Sequence, residues 1–224
     1  MSARHRYFYM AVSKVASSKI KMVLHQAEGH RLPDDPFDVH ARNRPGHAFV
    51  SKLADFSPSE AVDILSSPDW FRFAFVRNPY DRLLSAYRDK IADPSSPYVG
   101  VRASILALAR RKPDPGGVPT LAEFAAYVEA QPDLQRDNHW RSQVGGLCLG
   151  DIRYDFIGRQ ERFEADFAHV LQRLPSLEIA ADGLSEVVNA SSRGADTYDV
   201  AAAASAYRTY KADFDAFGYA PDNC

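Results

Sequence analysis

Two cations stand where this chain passes from an apolar run into a helical pattern. Arg77 follows the run Phe71-Arg-Phe-Ala-Phe-Val76, and Lys14 lies in Ser13-Lys-Val-Ala-Ser-Ser-Lys19, just after the run from Tyr7 to Val12. An arginine guanidinium forks onto an oxyanion through two parallel N–H donors, while a lysine ammonium supplies a compact point charge. Small residues crowd around Lys14 (Ser13, Ala16, Ser17 and Ser18), and three of them carry hydroxyls. Small side chains let consecutive backbone amides curl around an anion. Ser85, eight residues beyond Arg77, offers another hydroxyl donor. Groups of this kind bind phosphate or sulfate and stabilise charge that develops on it. Each also has a plainer reading. Arg77 could cap a carboxylate elsewhere in the fold, and serine-rich turns are common helix N-caps. The Lys14 loop lacks the GxxxxGK[ST] pattern of nucleoside triphosphatases.

The elements around these residues can be read from spacing. Phe71 to Val76 is long enough for a strand buried on both faces and too short for a helix. Pro79 ends it, because proline lacks an amide proton and keeps its predecessor extended. Helical spacing follows, with Leu83, Leu84, Tyr87 and Ile91 on one face and Arg82, Ser85 and Asp89 opposite. Near the start of the chain the same order repeats: a strand from Tyr7 to Val12, a polar loop, then a helix carrying Ile20, Val23, Leu24 and Ala27, with Gly29 at its end. A parallel strand feeding a helix presents free amide protons and a positive dipole end to an anion. The expected fold is therefore α/β: a three-layer parallel sheet flanked by helices.

The rest of the chain fits that frame. Ser57-Pro-Ser-Glu60 and Thr120-Leu-Ala-Glu123 are capping boxes that start two helices. The first helix, with Ala61, Ile64 and Leu65, returns the chain to the central strand. Residues 93–119 are punctuated by prolines and glycines around a helical patch, Val101 to Lys112. Tyr154 to Ile157 reads as a third strand ended by Gly158. Glu161 to Leu174 is amphipathic, and Asp199 to Phe217 is the last helix, closed by Gly218. A length of 224 residues fits one domain, residues 1–224, with room for a full core.

Composition narrows the function. A net charge of −2 argues against bulk nucleic-acid binding. No apolar run approaches the roughly 20 residues of a membrane span, and no signal peptide is evident. The two cysteines, Cys148 and Cys224, form no CxxC pair and point to a reducing cytoplasm. Seven histidines are scattered without HxH or HExxH spacing, so no metal is expected.

If the two strands are sheet neighbours, both loops open on one crevice. That pair suits a ligand with two separated anionic groups, such as a nucleotide phosphorylated at its 5′ and 3′ ends. Here Val12-Ser-Lys-Val-Ala-Ser-Ser-Lys19 resembles the 5′-phosphosulfate loop of carbohydrate sulfotransferases of the chondroitin and dermatan type. Arg77-Asn-Pro-Tyr-Asp-Arg-Leu-Leu-Ser-Ala-Tyr87 resembles their 3′-phosphate motif, RxPxxRxxSAY. The resemblance continues through Asn138-His-Trp140, Leu147-Cys148, Tyr154-Asp-Phe-Ile-Gly158 and Tyr210-Lys-Ala-Asp-Phe-Asp-Ala-Phe-Gly-Tyr219. It implies a P-loop-like α/β fold, the donor 3′-phosphoadenosine 5′-phosphosulfate, no metal, and transfer of the sulfuryl group to a hydroxyl of a carbohydrate or glycoconjugate.

On that resemblance, Lys14 is the cation at the leaving oxygen. Ser13, Lys14, Val15, Ala16, Ser17, Ser18 and Lys19 hold the 5′ end of the donor, and Arg77, Ser85 and Arg193 hold the 3′-phosphate. The general base is His47 or His40, both in the irregular segment before the central strand; Gly46-His47 resembles the histidine stretch of heparan 2-O-sulfating relatives, and Val39-His40 is the rival match. His139 either belongs to the pocket or braces a loop. The membrane anchor and further paired cysteines of family members from higher organisms are missing, which points to a bacterial, cytoplasmic member. Ser13 replaces the proline common before the loop lysine. Two other classes stay open: a kinase-like phosphoryl-transfer enzyme, and a nucleotide- or glycan-binding module without catalysis.

Overall fold

The computed structural model describes residues 1–29, 53–111, 117–177 and 197–222. In chain order its elements are β1 (Tyr7–Met10), α1 (Ser17–Ala27), α2 (Pro58–Ser66), β2 (Phe71–Val76), α3 (Pro79–Ala86), α4 (Val99–Leu108), α5 (Leu121–Glu129), α6 (Gln143–Gly146), β3 (Phe156–Arg159), α7 (Phe163–Arg173) and α8 (Val200–Phe217). A π-helical segment, Tyr87–Ala92, continues α3. These elements divide between two compact units. One comprises Met1–Val76 and Leu147–Asn189, the other Arg77–Gly146 and Ala190–Cys224.

The first unit is built on a three-stranded parallel sheet in the order β1-β2-β3. β1 runs beside β2 with Tyr7 opposite Phe71 and Met10 opposite Ala74, and β3 pairs the other edge with Phe73 opposite Phe156 and Phe75 opposite Gly158. All six residues of β2 are buried. That is the signature of a strand covered on both faces, and it accounts for an apolar run interrupted only by Arg72. The architecture is the α/β parallel sheet with flanking helices that the sequence predicts. β1 stops at Met10, two residues before its apolar run ends, and β3 extends through Gly158, where the sequence predicts a stop.

Arg72 is the one charge inside β2, and it is only 4% exposed. It is tolerated because Asp155 receives it at 2.9 Å and the carbonyl of Ser67 takes a second guanidinium N–H at 2.8 Å. Asp155 also accepts the Arg72 amide at 2.8 Å. A buried charge is retained when a partner and hydrogen bonds replace its water. Met1, Phe8, Ile64 and Trp70 form one apolar cluster in this unit. The capping box opening α2 is fully made, with Ser57 Oγ accepting from Glu60 N–H and Glu60 accepting from Ser57 N–H.

The second unit is helical. α8 packs against α3 and α5, and its core gathers Tyr80, Leu83, Ile91, Phe124, Trp140, Tyr210 and Phe214. Thr120 and Glu123 form the second capping box. Asp199 caps α8, and Gly218 closes it at φ 63°, a left-handed conformation that suits glycine. Opposite the apolar face of α3 and its continuation, Arg82 is 2% exposed and Ser85 6%, while Asp89 is exposed. Arg82 donates to the carbonyls of Arg141 at 2.7 Å and Asn138 at 3.2 Å, so it braces the 138–141 segment from beneath. Burial lowers its pKa from the ordinary arginine value.

Candidate functional site

The Lys14 loop belongs to the first unit. β1 and β2 are parallel neighbours, so their carboxyl ends lie at the same edge of the sheet. The loop after β1 leaves from that edge, and Arg77 is the residue joined directly to the last residue of β2.

The backbone of the loop has an unusual conformation for its residues. Lys14 has φ 68° and Ala16 φ 58°, both left-handed, although neither is glycine. Left-handed residues spaced along a turn orient successive N–H groups toward one concavity, which binds anions. Ala16 is the N-cap of α1 and supplies no side-chain cap to that helix end. Residues that can cap, Ser17 and Ser18, follow the cap position instead of occupying it. The helix N-terminus thus keeps its positive dipole end beside the Lys14 turn. Val15 is fully buried and anchors the loop to the core, while Lys14, Ala16 and Ser18 are partly exposed. The ammonium of Lys19 lies 4.9 Å from the ring centroid of Phe163 in α7, a cation–π contact.

Arg77 and Ser85 belong to the second unit. The Arg77 amide donates to Gln143 Oε1 at 2.9 Å, and Gln143 Nε2 donates back to the Arg77 carbonyl at 2.8 Å. Asn78 then caps α3, its side chain accepting from the Tyr80 amide at 2.9 Å. Arg77 is therefore fixed on both sides, by an amide that imitates a strand partner and by a helix cap. Ser85 sits in the second turn of α3. Asp213 lies in the Tyr210–Tyr219 stretch that carries the family resemblance, but the pairing with Gln143 cannot be read from it, because the partners lie 66 and 70 positions apart in the chain.

His139 is the centre of a small polar cluster in the same unit. Its Nδ1 lies 2.6 Å from Asp137 Oδ1, and the Tyr98 hydroxyl lies 3.2 Å from both Asp137 Oδ2 and His139 Nδ1. Burial raises the Asp137 carboxyl, but the hydrogen bonds from His139 and Tyr98 outweigh it and hold the group below its usual range. Burial and the Asp137 charge push the Tyr98 hydroxyl up to about 12. The cluster ties residue 98 to the 137–139 turn, which fits the bracing reading of His139.

His40, His47 and Arg193 lie outside the described residues. Among the described residues there is no group of three or more His, Cys, Asp or Glu arranged to hold a metal, and no helix long and apolar enough to cross a membrane.

Residues 1–220 match the family described as Sulfotransferase family. The chain is 34% identical over 176 residues to carbohydrate sulfotransferase 14 of Danio rerio, covering 76% of this chain and 46% of that protein. It is 35% identical over 176 residues to carbohydrate sulfotransferase 14 of Homo sapiens, covering 77% and 45%. It is 30% identical over 180 residues to carbohydrate sulfotransferase 11 of Mus musculus, covering 75% and 50%. The chain thus spans about half the length of these curated relatives. No solved structure matches it significantly.

Proposed function

Because the chain belongs to the Sulfotransferase family, we propose that it transfers a sulfuryl group from 3′-phosphoadenosine 5′-phosphosulfate to a hydroxyl of a carbohydrate or glycoconjugate acceptor. The family match across residues 1–220 supports treating the chain as one catalytic domain. The observation that carries the donor assignment is the left-handed backbone at Lys14 and Ala16, next to a helix N-terminus with no side-chain cap.

In this reading Ser13, Lys14, Val15, Ala16, Ser17, Ser18 and Lys19 hold the 5′-phosphosulfate, largely through backbone N–H groups, with the Ser17 and Ser18 hydroxyls adding donors. Arg77 forks onto the 3′-phosphate, with Ser85 and Arg193 as further donors. The acceptor oxygen attacks sulfur in line. A new sulfur–oxygen bond forms as the bond from sulfur to the 5′-phosphate oxygen breaks. Negative charge grows on that leaving oxygen, and the Lys14 ammonium stabilises it. The acceptor proton passes to His47 or His40 as general base. The products are the sulfate ester and adenosine 3′,5′-bisphosphate.

The test is direct transfer. The protein is incubated with donor labelled in its sulfuryl group and a panel of glycans, and the labelled ester is isolated. Label in a carbohydrate supports the proposal. Binding of the bisphosphate without transfer to any acceptor supports a binding module instead, and an absolute requirement for Mg²⁺ with a nucleoside triphosphate supports phosphoryl transfer.

A further inference from the structure

We infer that Gln143, held by Asp213, is a positioning residue for Arg77 and thereby sets the affinity for the 3′-phosphate. This rests on the assignment of Arg77 made above.

β2 ends at Val76, and among the described residues the sheet supplies no partner register beyond it. A strand end at a ligand site must still satisfy its backbone polar groups, because a buried unpaired N–H or C=O is costly. One carboxamide does both jobs here. Gln143 Oε1 accepts the Arg77 N–H at 2.9 Å, and Nε2 donates to the Arg77 carbonyl at 2.8 Å. Only glutamine or asparagine carries a neutral donor and acceptor in one planar group with this spacing. The pair of hydrogen bonds fixes both peptide planes flanking the Arg77 Cα, and so fixes the direction in which its side chain leaves the backbone.

Gln143 is itself locked. It is fully buried. Its amide donates to Asp213 Oδ2 at 2.9 Å, and the next amide, of Val144, donates to Asp213 Oδ1 at 2.9 Å. Asp213 projects from α8 and is also fully buried, so a carboxylate on one helix caps the short turn that carries Gln143. A guanidinium that must meet a phosphate bidentately tolerates little error in direction.

The experiment measures binding of adenosine 3′,5′-bisphosphate and of adenosine 5′-monophosphate by calorimetry. Their affinity ratio in the wild type reports what the 3′-phosphate contributes. Gln143→Met keeps the volume and removes both hydrogen bonds. It should weaken the bisphosphate about tenfold, the scale of removing one charge-assisted hydrogen bond, and leave the monophosphate unchanged. Asp213→Asn, which acts one step further away, should give a smaller loss with the same selectivity, and it carries the test if Gln143→Met does not fold. In an Arg77→Ala background neither change should reduce the ratio further. Equal weakening of both nucleotides, or no change in either, overturns the positioning role and leaves Gln143 a structural brace. A wild-type protein that binds the bisphosphate no better than the monophosphate instead overturns the assignment of Arg77 itself.

Discussion

Gly158 of β3 stands directly opposite Phe75 of β2, and the Phe75 ring fills the space that a side chain at position 158 would need. A Cβ built there would lie 2.5 Å from Phe75 Cε1 and 2.8 Å from Cδ1 and Cζ. The ring cannot swing away easily. It is fully buried and sits against Phe156, Phe163 and Phe167 with centroids 5.4–6.3 Å apart. The glycine is thus required by a cross-strand neighbour and by no special backbone angle. Gly158→Ala should destabilise the protein by about 1–3 kcal/mol, the usual cost of overpacking a core. Urea denaturation checks this, and the double variant Gly158→Ala with Phe75→Leu should recover part of the loss.

Arg72 and Asp155 give a second prediction about the same sheet. Removing the carboxylate by Asp155→Ala strands a buried guanidinium. The Asp155 side chain is 28% exposed, so water offsets some of the penalty. The expected loss is about 2–4 kcal/mol, at or below the range for breaking a buried pair. Replacing both residues by leucine should cost less than Asp155→Ala alone, because no unpaired charge remains. Equilibrium unfolding of the wild type and the two variants compares them, and a double replacement that is worse than the single one would refute the account.

How much of the molecule is legible from the chain follows the range of each interaction. The capping boxes at Ser57 and Thr120 involve residues three apart, and both form as their spacing predicts. The six buried residues of β2 announce themselves as an apolar run. The burial of Arg82 cannot be read from local spacing, because its partners, Asn138 and Arg141, lie 56 and 59 positions away. Gln143 carries no local signal for the same reason. The left-handed turns at Lys14 and Ala16 have no glycine to mark them, so the residue types of the loop are legible but its backbone is not. The break between the two units falls after Val76, between β2 and the Arg77 motif, where no composition change signals it.

Asp133 leads to a prediction about acid. Burial raises its carboxyl, but the amide and hydroxyl of Ser142 and the charges of Arg136 and Arg141 together outweigh that and hold it below its ordinary value. A carboxyl depressed by folding adds stability that is complete above its unfolded value and lost as pH falls through its folded value. The stability difference between wild type and Asp133→Asn should therefore be constant near neutrality and shrink below about pH 4, where the unfolded chain and then the folded one take up the proton. Thermal melts from pH 7 to about pH 3 would show it. A difference that grows on acidification would contradict the sign.

The chemistry assigned to Lys14 predicts a separation between rate and fold. Lys14→Ala should lower turnover by about a hundredfold or more, the scale of removing one electrostatic stabiliser of the transition state, with little change in melting temperature. His47→Ala and His40→Ala, made separately, should differ: replacing the base costs turnover with donor affinity intact, and replacing the other histidine costs little. Turnover within about twofold of wild type in Lys14→Ala would remove that lysine from the leaving-group role.

Ala16 offers the sharpest test of the anion cradle, because it separates helix stability from ligand binding. Alanine is a poor N-cap, and this one sits at φ 58° with no side-chain cap for α1. Aspartate tolerates left-handed backbone better than most residues and caps helices well. Ala16→Asp should leave the fold as stable as before or raise its stability by up to about 1 kcal/mol. The same carboxylate would stand where the 5′-phosphosulfate is proposed to bind, so donor and bisphosphate affinity should fall by about tenfold or more through like-charge repulsion. Ala16→Gly is the control. It relieves the left-handed strain, leaves the amides unobstructed, and should keep both nucleotide affinity and turnover close to wild type. If Ala16→Asp binds the bisphosphate as well as Ala16→Gly does, the turn at residues 13–19 is a helix start and nothing more.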